Sequence, residues 1–530
     1  MLHQKIEIVF ARLCQRIKRT AASDFYYVLG FIAVILGGLL KLIQIWLSSA
    51  TVDADSAVVG LMGLHILHLT DWPVFFYGQA YMGSFQAIVA AIYFRFLGVS
   101  PSSLYLVSTT FWVLFIFANF LLIKRVFGRW PAVLASLFLA FPPAYLADRL
   151  FRTWGGYMEM LFFGTCILLI TLKITDKLGK GDNNHRWFGL LGLIIGVSLW
   201  IHFSVMFYIV TAFLIFTATA KKSAIRRKDL GYFLIFTLVP LIPMILYNVF
   251  PVELARVLRF PLASPEPGQT LKYLFTEGQP FKVRLAFGLD NLQIVAKVSL
   301  PLILGIQSSP GFYLLPIFSK VLLAFYGAVL VFTAIKWDFV FRQLLFWQPV
   351  EKIMIHRLYP LTLLVIAIVG YCFGNYAFSF GDPRYILCLY SVFPLLAAEF
   401  ILWLGRKNIT LLIILTVFVL INHLYPAYGT HLDIPIFSKA QSQETQLIER
   451  LNELNLKRIY AGYLIGYPVT FMSGEKIIAS PKYGPFNLNR YPRYTELVDN
   501  YPNPAYVFPI NGPDDCCEAD ITAILSSTKT

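Results

Sequence analysis

Charged side chains are scarce. Asp, Glu, Lys and Arg make up 14% of the 530 residues, against 58% hydrophobic and 16% aromatic types. A soluble globular domain carries roughly 25% charged residues, so that class is excluded and the chain reads as a polytopic membrane protein. Cysteine is scarce too: there are six, scattered except for Cys516 and Cys517. Adjacent cysteines rarely close a disulfide with normal geometry, so there is no disulfide framework to read. Internal repeats, low-complexity tracts and a Gly-rich loop that would cradle a nucleotide phosphate are all missing. Acidic residues are outnumbered, 29 Asp and Glu against 44 Lys and Arg, for a formal net charge of +15. That excess lies in short clusters between apolar runs. It reports membrane topology rather than a nucleic-acid partner.

What is present is a series of apolar segments, each near the length of about 20 residues that spans a bilayer. They fall near 26–48, 103–123, 130–147, 157–175, 187–201, 203–220, 229–249, 314–335, 357–376, 385–404 and 408–426. About eleven crossings, or twelve to thirteen if further short runs cross, put the basic clusters on one side, among them Lys124, Arg125 and Arg129 and the run from Lys221 to Lys228. By the positive-inside rule that side is the cytoplasm. Residues 1–25 are amphipathic and basic and read as the cytoplasmic lead of a retained signal anchor. The first outer loop, 49–102, a large outer loop, 250–313, and the segment 428–530 then lie outside. The apolar stretch 84–96 is too short to cross and reads as a juxtamembrane helix. Beyond residue 428 the polar fraction rises. A helical run at 438–454 and β-prone runs at 458–463, 476–479 and 505–508 predict a small extracytoplasmic α/β domain of Rossmann-like kind.

Four features carry candidate chemistry. Asp53 and Asp55 follow the first span; in an extended segment both carboxylates would face one side, to act as base or to hold a divalent cation. The alternative is a helix start near Ala57 capped by Asp55 or Ser56. Glu159 stands one turn inside an apolar span, where an ionisable group is costly and defaults to a functional hypothesis; the alternative is an ion pair with Arg152 or Arg149. His202 sits at an outer junction of two spans, as a proton carrier, a ligand or an interfacial hydrogen-bonding residue. Arg384 begins a late span, where its planar fork suits a phosphate or simply snorkels.

The order of the motifs resembles the GT-C superfamily of integral-membrane glycosyltransferases, in the bacterial branch similar to protein O-mannosyltransferases and lipid A aminoarabinose transferase. The residues that carry it are the Asp53-Ala54-Asp55-Ser56-Ala57-Val58-Val59-Gly60 opening, Phe76-Tyr77-Gly78-Gln79-Ala80-Tyr81-Met82-Gly83-Ser84, the segment Arg152 to Glu159, and Arg384-Tyr385-Ile386-Leu387. They extend over roughly residues 26–405.

The resemblance implies an all-α GT-C membrane domain over 26–427, with juxtamembrane helices in its first outer loop. It also implies transfer of a sugar from a polyprenyl-phosphate carrier to an acceptor hydroxyl, with inversion, on the outer face of the bacterial inner membrane. Asp55 would be the general base. Many relatives carry Asp-Glu where this chain has Asp55-Ser56, so Asp53 is a candidate for the missing carboxylate. Glu159 would organise the site, and Asp55 with Glu159 are candidate ligands of a divalent Mg2+ or Mn2+ ion. Arg384 would hold the carrier phosphate with His202 as helper, and Tyr77, Gln79, Tyr81, Arg152 and Tyr157 fall in the substrate-binding motifs. The acceptor, whether protein, lipid or glycan, is not legible. Rival readings are a polyprenyl-linked glycan polymerase, ligase or flippase, and a secondary transporter. Transporters usually set ionisable residues near mid-membrane in duplicated halves, unlike the outer-end cluster here.

Overall fold

The computed structural model describes residues 25–46, 51–150, 152–178, 184–219, 225–249, 280–306, 316–345, 350–374, 383–432, 443–483 and 488–509. Residues 1–24, most of the 250–313 loop, Gly381, Asp382, Cys516 and Cys517 lie outside them.

The chain opens with α1 (Phe25–Trp46) and passes through the first outer loop as α2 (Ala54–Leu67) and α3 (Phe85–Leu97). It continues as α4 (Pro101–Phe127), α5 (Arg129–Ala140), α6 (Ala144–Arg149), α7 (Tyr157–Lys177), α8 (His185–Ile201), α9 (Met206–Thr219) and α10 (Arg227–Val249). Then follow α11 (Phe281–Ile294), α12 (Pro316–Leu345), α13 (Lys352–Arg357), α14 (Tyr359–Phe373), a 3-10 stretch at Pro383–Ser391, α15 (Phe393–Gly405) and α16 (Ile409–Leu432).

Within the described residues the apolar segments read from the sequence are helical, apart from one break. Among the described residues five helices, α1, α4, α7, α10 and most of α12, are long and apolar enough to cross a bilayer. Pro383–Ser391 and α15, bent by 42°, make a sixth if they form one span. The run at 130–147 is broken at Phe141, Pro142 and Pro143, where two consecutive prolines cannot donate to a helical ladder. The core between the long helices is aromatic, with Trp112, Phe115, Phe120 and Phe138 almost wholly buried. Helix α3 has 13 residues and is therefore about 20 Å long, well short of the hydrocarbon thickness.

The segment after α16 folds as α17 (Gln443–Glu453), β1 (Arg458–Gly462), α18 (Tyr463–Met472), β2 (Ile478–Tyr483), α19 (Pro492–Asp499) and β3 (Ala505–Val507). Its three strands are parallel in the order β2-β1-β3, the arrangement of an open α/β sheet with β1 in the centre. The second strand starts at Ile478, two residues later than its pattern suggests, because Ser473 to Lys476 form a turn with Gly474 and Glu475 both at positive φ.

This unit does not stand apart from the membrane domain. Helix α2 is buried on nearly all sides, as a helix apolar all round must be. It packs on α3 from one side, where Gly63 meets Ala90, and on α18 from the other, where Gly60 meets the ring of Phe471. The start of α2 is thus enclosed between the outer loop and the C-terminal sheet.

Candidate active site

Helix α2 begins at Ala54, three residues earlier than Ala57, and its N-cap is Asp53 rather than Asp55 or Ser56. Asp53 is extended (φ −76°, ψ 161°) and accepts from the Ser56 amide at 3.1 Å and the Ser56 hydroxyl at 2.6 Å, satisfying a backbone donor that helix geometry leaves orphaned. The indole N–H of Trp154 donates at 2.7 Å to Oδ1, the oxygen that also accepts from the Ser56 amide. Because the helix has already started, Asp53 and Asp55 do not share one side of an extended segment. Each carboxylate turns to its own partners, and Asp53 is committed to the cap and to Trp154.

Asp55 stands in the first turn of α2 with its side chain 36% exposed. Its Oδ1 accepts from the Tyr463 hydroxyl and lies 3.9 Å from Nη2 of Arg490. Oδ2 has no partner among the described residues. The Arg490 guanidinium spreads over the rings of Phe76, at 5.4 Å, and Tyr463, at 5.6 Å. With the Gln79 amide turned so that its oxygen faces the guanidinium, it accepts from Nη1 at 2.8 Å and Nη2 at 2.9 Å, while its nitrogen donates to Tyr81 at 3.2 Å. Gln79 and Tyr81 therefore gather around Asp55, as their motif implied. Tyr77 does not: its hydroxyl turns to Asp71 and His65.

A second cluster forms around Trp154. Gly155 and Gly156 both have positive φ, 83° and 103°, a turn that other residues adopt only under strain, and it delivers Trp154 beside Asp53. Three guanidinium groups surround the indole ring: Arg149 at 4.4 Å, Arg152 at 5.2 Å and Arg384 at 5.7 Å. Asp148 balances part of this charge through Arg149, at 3.3 Å, and Arg152, at 3.0 Å. Arg384 also lies over Tyr385, whose ring neighbours Tyr157, and Tyr157 in turn meets the ring of His202 at 4.6 Å.

His202 is 1% exposed and accepts from the Ser204 amide through Nδ1 at 3.1 Å. Burial, assisted by the nearby Arg384 charge, pushes its pKa down to about 4. The ring is therefore neutral at physiological pH with its proton on Nε2, and that buried donor has no partner among the described residues.

Glu159 is wholly buried in the first turn of α7. Its neighbour is neither Arg149 nor Arg152, both of which pair with Asp148, but the Gln86 amide, which donates to Oε2 at 3.2 Å. The Gln86 oxygen accepts from the Gly155 amide at 2.8 Å, so Glu159 supports the turn carrying Trp154 from beneath. The other carboxyl oxygen, Oε1, has no hydrogen-bond partner among the described residues. Asp55 and Glu159 each have their own neighbours, and among the described residues no three His, Cys, Asp or Glu side chains gather as a cation site. With Tyr463 and Arg490 beside Asp55 and Gln86 beside Glu159, the described residues do not set these two carboxylates out as ligands of one ion.

The C-terminal domain is held on the outer loop by a chain of polar groups. Tyr77 donates its single hydroxyl proton to Asp71 at 2.8 Å, and Tyr494 donates its own to Glu475 at 2.8 Å. His65, 5% exposed, faces the Tyr77 oxygen through Nδ1 at 2.7 Å, and through Nε2 faces Glu475 at 3.0 Å and the Tyr494 oxygen at 3.3 Å. With Tyr77 donating to Asp71 and Tyr494 donating to Glu475, the Nε2–H of His65 has the Glu475 carboxylate as its acceptor. Tyr491 closes the contact by stacking on Tyr77 at 4.5 Å.

Tyr463, Arg490 and Glu475 are absent from the sequence-based candidates. The only local hint is the run Asn489-Arg490-Tyr491-Pro492-Arg493-Tyr494, in which arginines alternate with tyrosines. Nothing in that run points to a partner more than 400 residues away.

Residues 83–247 match the sequence pattern of the family described as dolichyl-phosphate-mannose-protein mannosyltransferase. The matched part contains Arg152, Glu159 and His202 but neither Asp55 nor Arg384. No curated protein sequence matches this chain. In fold it is similar to ArnT from Cupriavidus metallidurans, both bound to undecaprenyl phosphate (TM-score 0.52, 10% identity, 91% of this chain and 89% of that one) and in the apo state (0.52, 10%, 92% and 90%). It is also similar to the Archaeoglobus fulgidus oligosaccharyltransferase tethered to an acceptor peptide (0.51, 14%, 89% and 68%). In fold the chain is similar to these GT-C structures, and the family pattern matched over 83–247 agrees with the resemblance drawn from the motifs.

Proposed function

We propose that this protein transfers a sugar from a polyprenyl-phosphate-linked donor to an acceptor hydroxyl, with inversion at the anomeric carbon, on the extracytoplasmic face of a bacterial inner membrane. Asp55 is the general base. The observation that chiefly supports this reading is a half-engaged carboxylate at the start of α2: Oδ1 is held by Tyr463 while Oδ2 remains without a partner among the described residues. The Trp154 cluster, tied to the same helix start through Asp53, offers Arg149, Arg152 and Arg384 for a phosphate.

Oδ2 takes the acceptor's hydroxyl proton as its oxygen attacks the anomeric carbon. The bond from that carbon to the phosphate oxygen breaks, and the electron pair leaves with the polyprenyl phosphate. A single in-line displacement inverts the centre. Arg384 stabilises the charge developing on the phosphate, and the unpartnered Nε2–H of His202 is a donor for one of its oxygens. Glu159 and Gln86 act indirectly, by holding the Gly155 turn. The comparisons agree with this chemistry: the ArnT structure holds undecaprenyl phosphate, and the oligosaccharyltransferase holds an acceptor peptide. The outward face follows from the basic clusters.

The test is to incubate the purified protein with radiolabelled polyprenyl-phosphate sugars and extract the lipid. Release of label from the carrier, by transfer or slow hydrolysis, is expected. A protein that neither binds nor consumes any polyprenyl-phosphate sugar would not belong to this reaction class.

A further inference from the structure

The C-terminal domain has no role in the reaction as described so far, yet it touches the proposed base. Tyr463 is the first residue after β1, the central strand of the parallel sheet, and Arg490 lies in the connection that follows β2. Both therefore come from the carboxyl ends of parallel strands, the edge at which open α/β sheets present their functional groups. In this protein that edge faces α2. Its Tyr463 hydroxyl donates to Oδ1 of Asp55, and Arg490, whose side chain is only 10% exposed, stands 3.9 Å from the same oxygen. Arg490 is itself fixed by two ring faces and the Gln79 amide oxygen.

The geometry points to Tyr463 and Arg490 as positioning residues that orient and charge-stabilise the Asp55 carboxylate, so that the C-terminal domain is a working part of the active site. The proposal rests on the reading of Asp55 as the base. A carboxylate on a short side chain can present either oxygen, and the Tyr463 hydroxyl on Oδ1, with the Arg490 charge on the same side, leaves Oδ2 for the acceptor proton. Neither residue needs to touch the sugar or the phosphate.

The experiment measures kcat and KM for transfer by wild type, Tyr463→Phe, Arg490→Gln, Arg490→Lys and Asp55→Asn, with retention of labelled polyprenyl phosphate measured alongside. Tyr463→Phe keeps the ring and removes only the donor. We expect kcat to fall about 10- to 100-fold, the loss typical of a hydrogen bond to a charged group, with KM for the donor and retention of the lipid phosphate unchanged. Arg490→Gln should lower kcat in the same way, and Arg490→Lys should restore part of it. An Asp55→Asn protein with full activity removes the base assignment itself. An inactive Asp55→Asn beside Tyr463→Phe and Arg490→Gln proteins whose kcat matches wild type refutes the positioning role while leaving the base in place. A fall in rate that comes with a raised KM and lost lipid retention, and that Arg490→Lys does not relieve, also counts against it, because a merely structural contact would behave that way.

Discussion

Replacing Glu475 by Gln loosens the C-terminal domain from the first outer loop, and the size of the effect follows from its contacts. Glu475 accepts from the His65 ring at 3.0 Å and from Tyr494 at 2.8 Å, with His65 6% and Glu475 28% exposed at the side chain, so solvent screens the contact only in part. A hydrogen bond to a charged group is worth about 1.5–3 kcal/mol. The amide keeps the shape and an acceptor for Tyr494 but loses the charge. The docked state should weaken by about 2 kcal/mol, roughly 30-fold in the docking equilibrium.

Hydrogen exchange by mass spectrometry reads this directly. Amides of α18 and β1 should exchange roughly 30-fold faster by that estimate, while α4 and α7 exchange as in wild type. The pH dependence has a definite sign. Burial alone would raise the Glu475 pKa, but the His65 and Tyr494 hydrogen bonds outweigh it and hold the carboxyl below its ordinary 4.5. A depressed folded value means stabilisation that is complete above the ordinary range and lost as pH falls through the folded one. Acid should therefore speed α18 exchange in wild type, and Glu475→Gln should lose that contribution. Unchanged α18 exchange in the variant, or an equal rise in every helix, would refute the reasoning.

Other perturbations have equally definite outcomes. Gly60→Ala sets a Cβ 2.5 Å from the Phe471 ring and should cost about 1–3 kcal/mol of docking, seen as a lower melting temperature. Asp53→Ala removes the α2 cap and the acceptor for Trp154; thermal melting should show a loss of about 1 kcal/mol or more, with transfer reduced far less than in Asp55→Asn. Arg384→Ala should weaken retention of labelled polyprenyl phosphate about 10- to 100-fold in a filter-binding assay, and added salt should narrow the gap to wild type. His202, with its pKa pushed down to about 4, is neutral across the neutral range, so replacing it by Phe should lower the rate without removing any limb of the profile between pH 5 and 8.

Much of the membrane domain was legible because its signal is local. A run of apolar residues declares a helix wherever it falls, and basic clusters declare a side. The start of α2 shows the limit of that reading. An Asp-x-Asp pair is compatible with an extended segment or with a cap, and the choice depends on Ser56 and Trp154, one three residues away and the other 101. For Glu159 the sequence leaves a functional role and an ion pair with Arg149 or Arg152 both open, but both arginines pair with Asp148, and the outer-loop Gln86 reaches the carboxyl instead. Tyr463 and Arg490 were beyond reach. Their role arises from a parallel sheet edge meeting a helix start 408 residues earlier in the chain, a juxtaposition no spacing rule encodes.

The central claim is that Asp55 is the base of a sugar transfer from polyprenyl phosphate. The most direct measurement compares wild type, Asp55→Asn and Asp53→Asn for transfer of label from one donor that wild type consumes, with donor retention scored in the same samples. The account predicts retention in all three, transfer in wild type and, reduced, in Asp53→Asn, and none above background in Asp55→Asn. Transfer at the wild-type rate by Asp55→Asn, or its abolition only in Asp53→Asn, would contradict it.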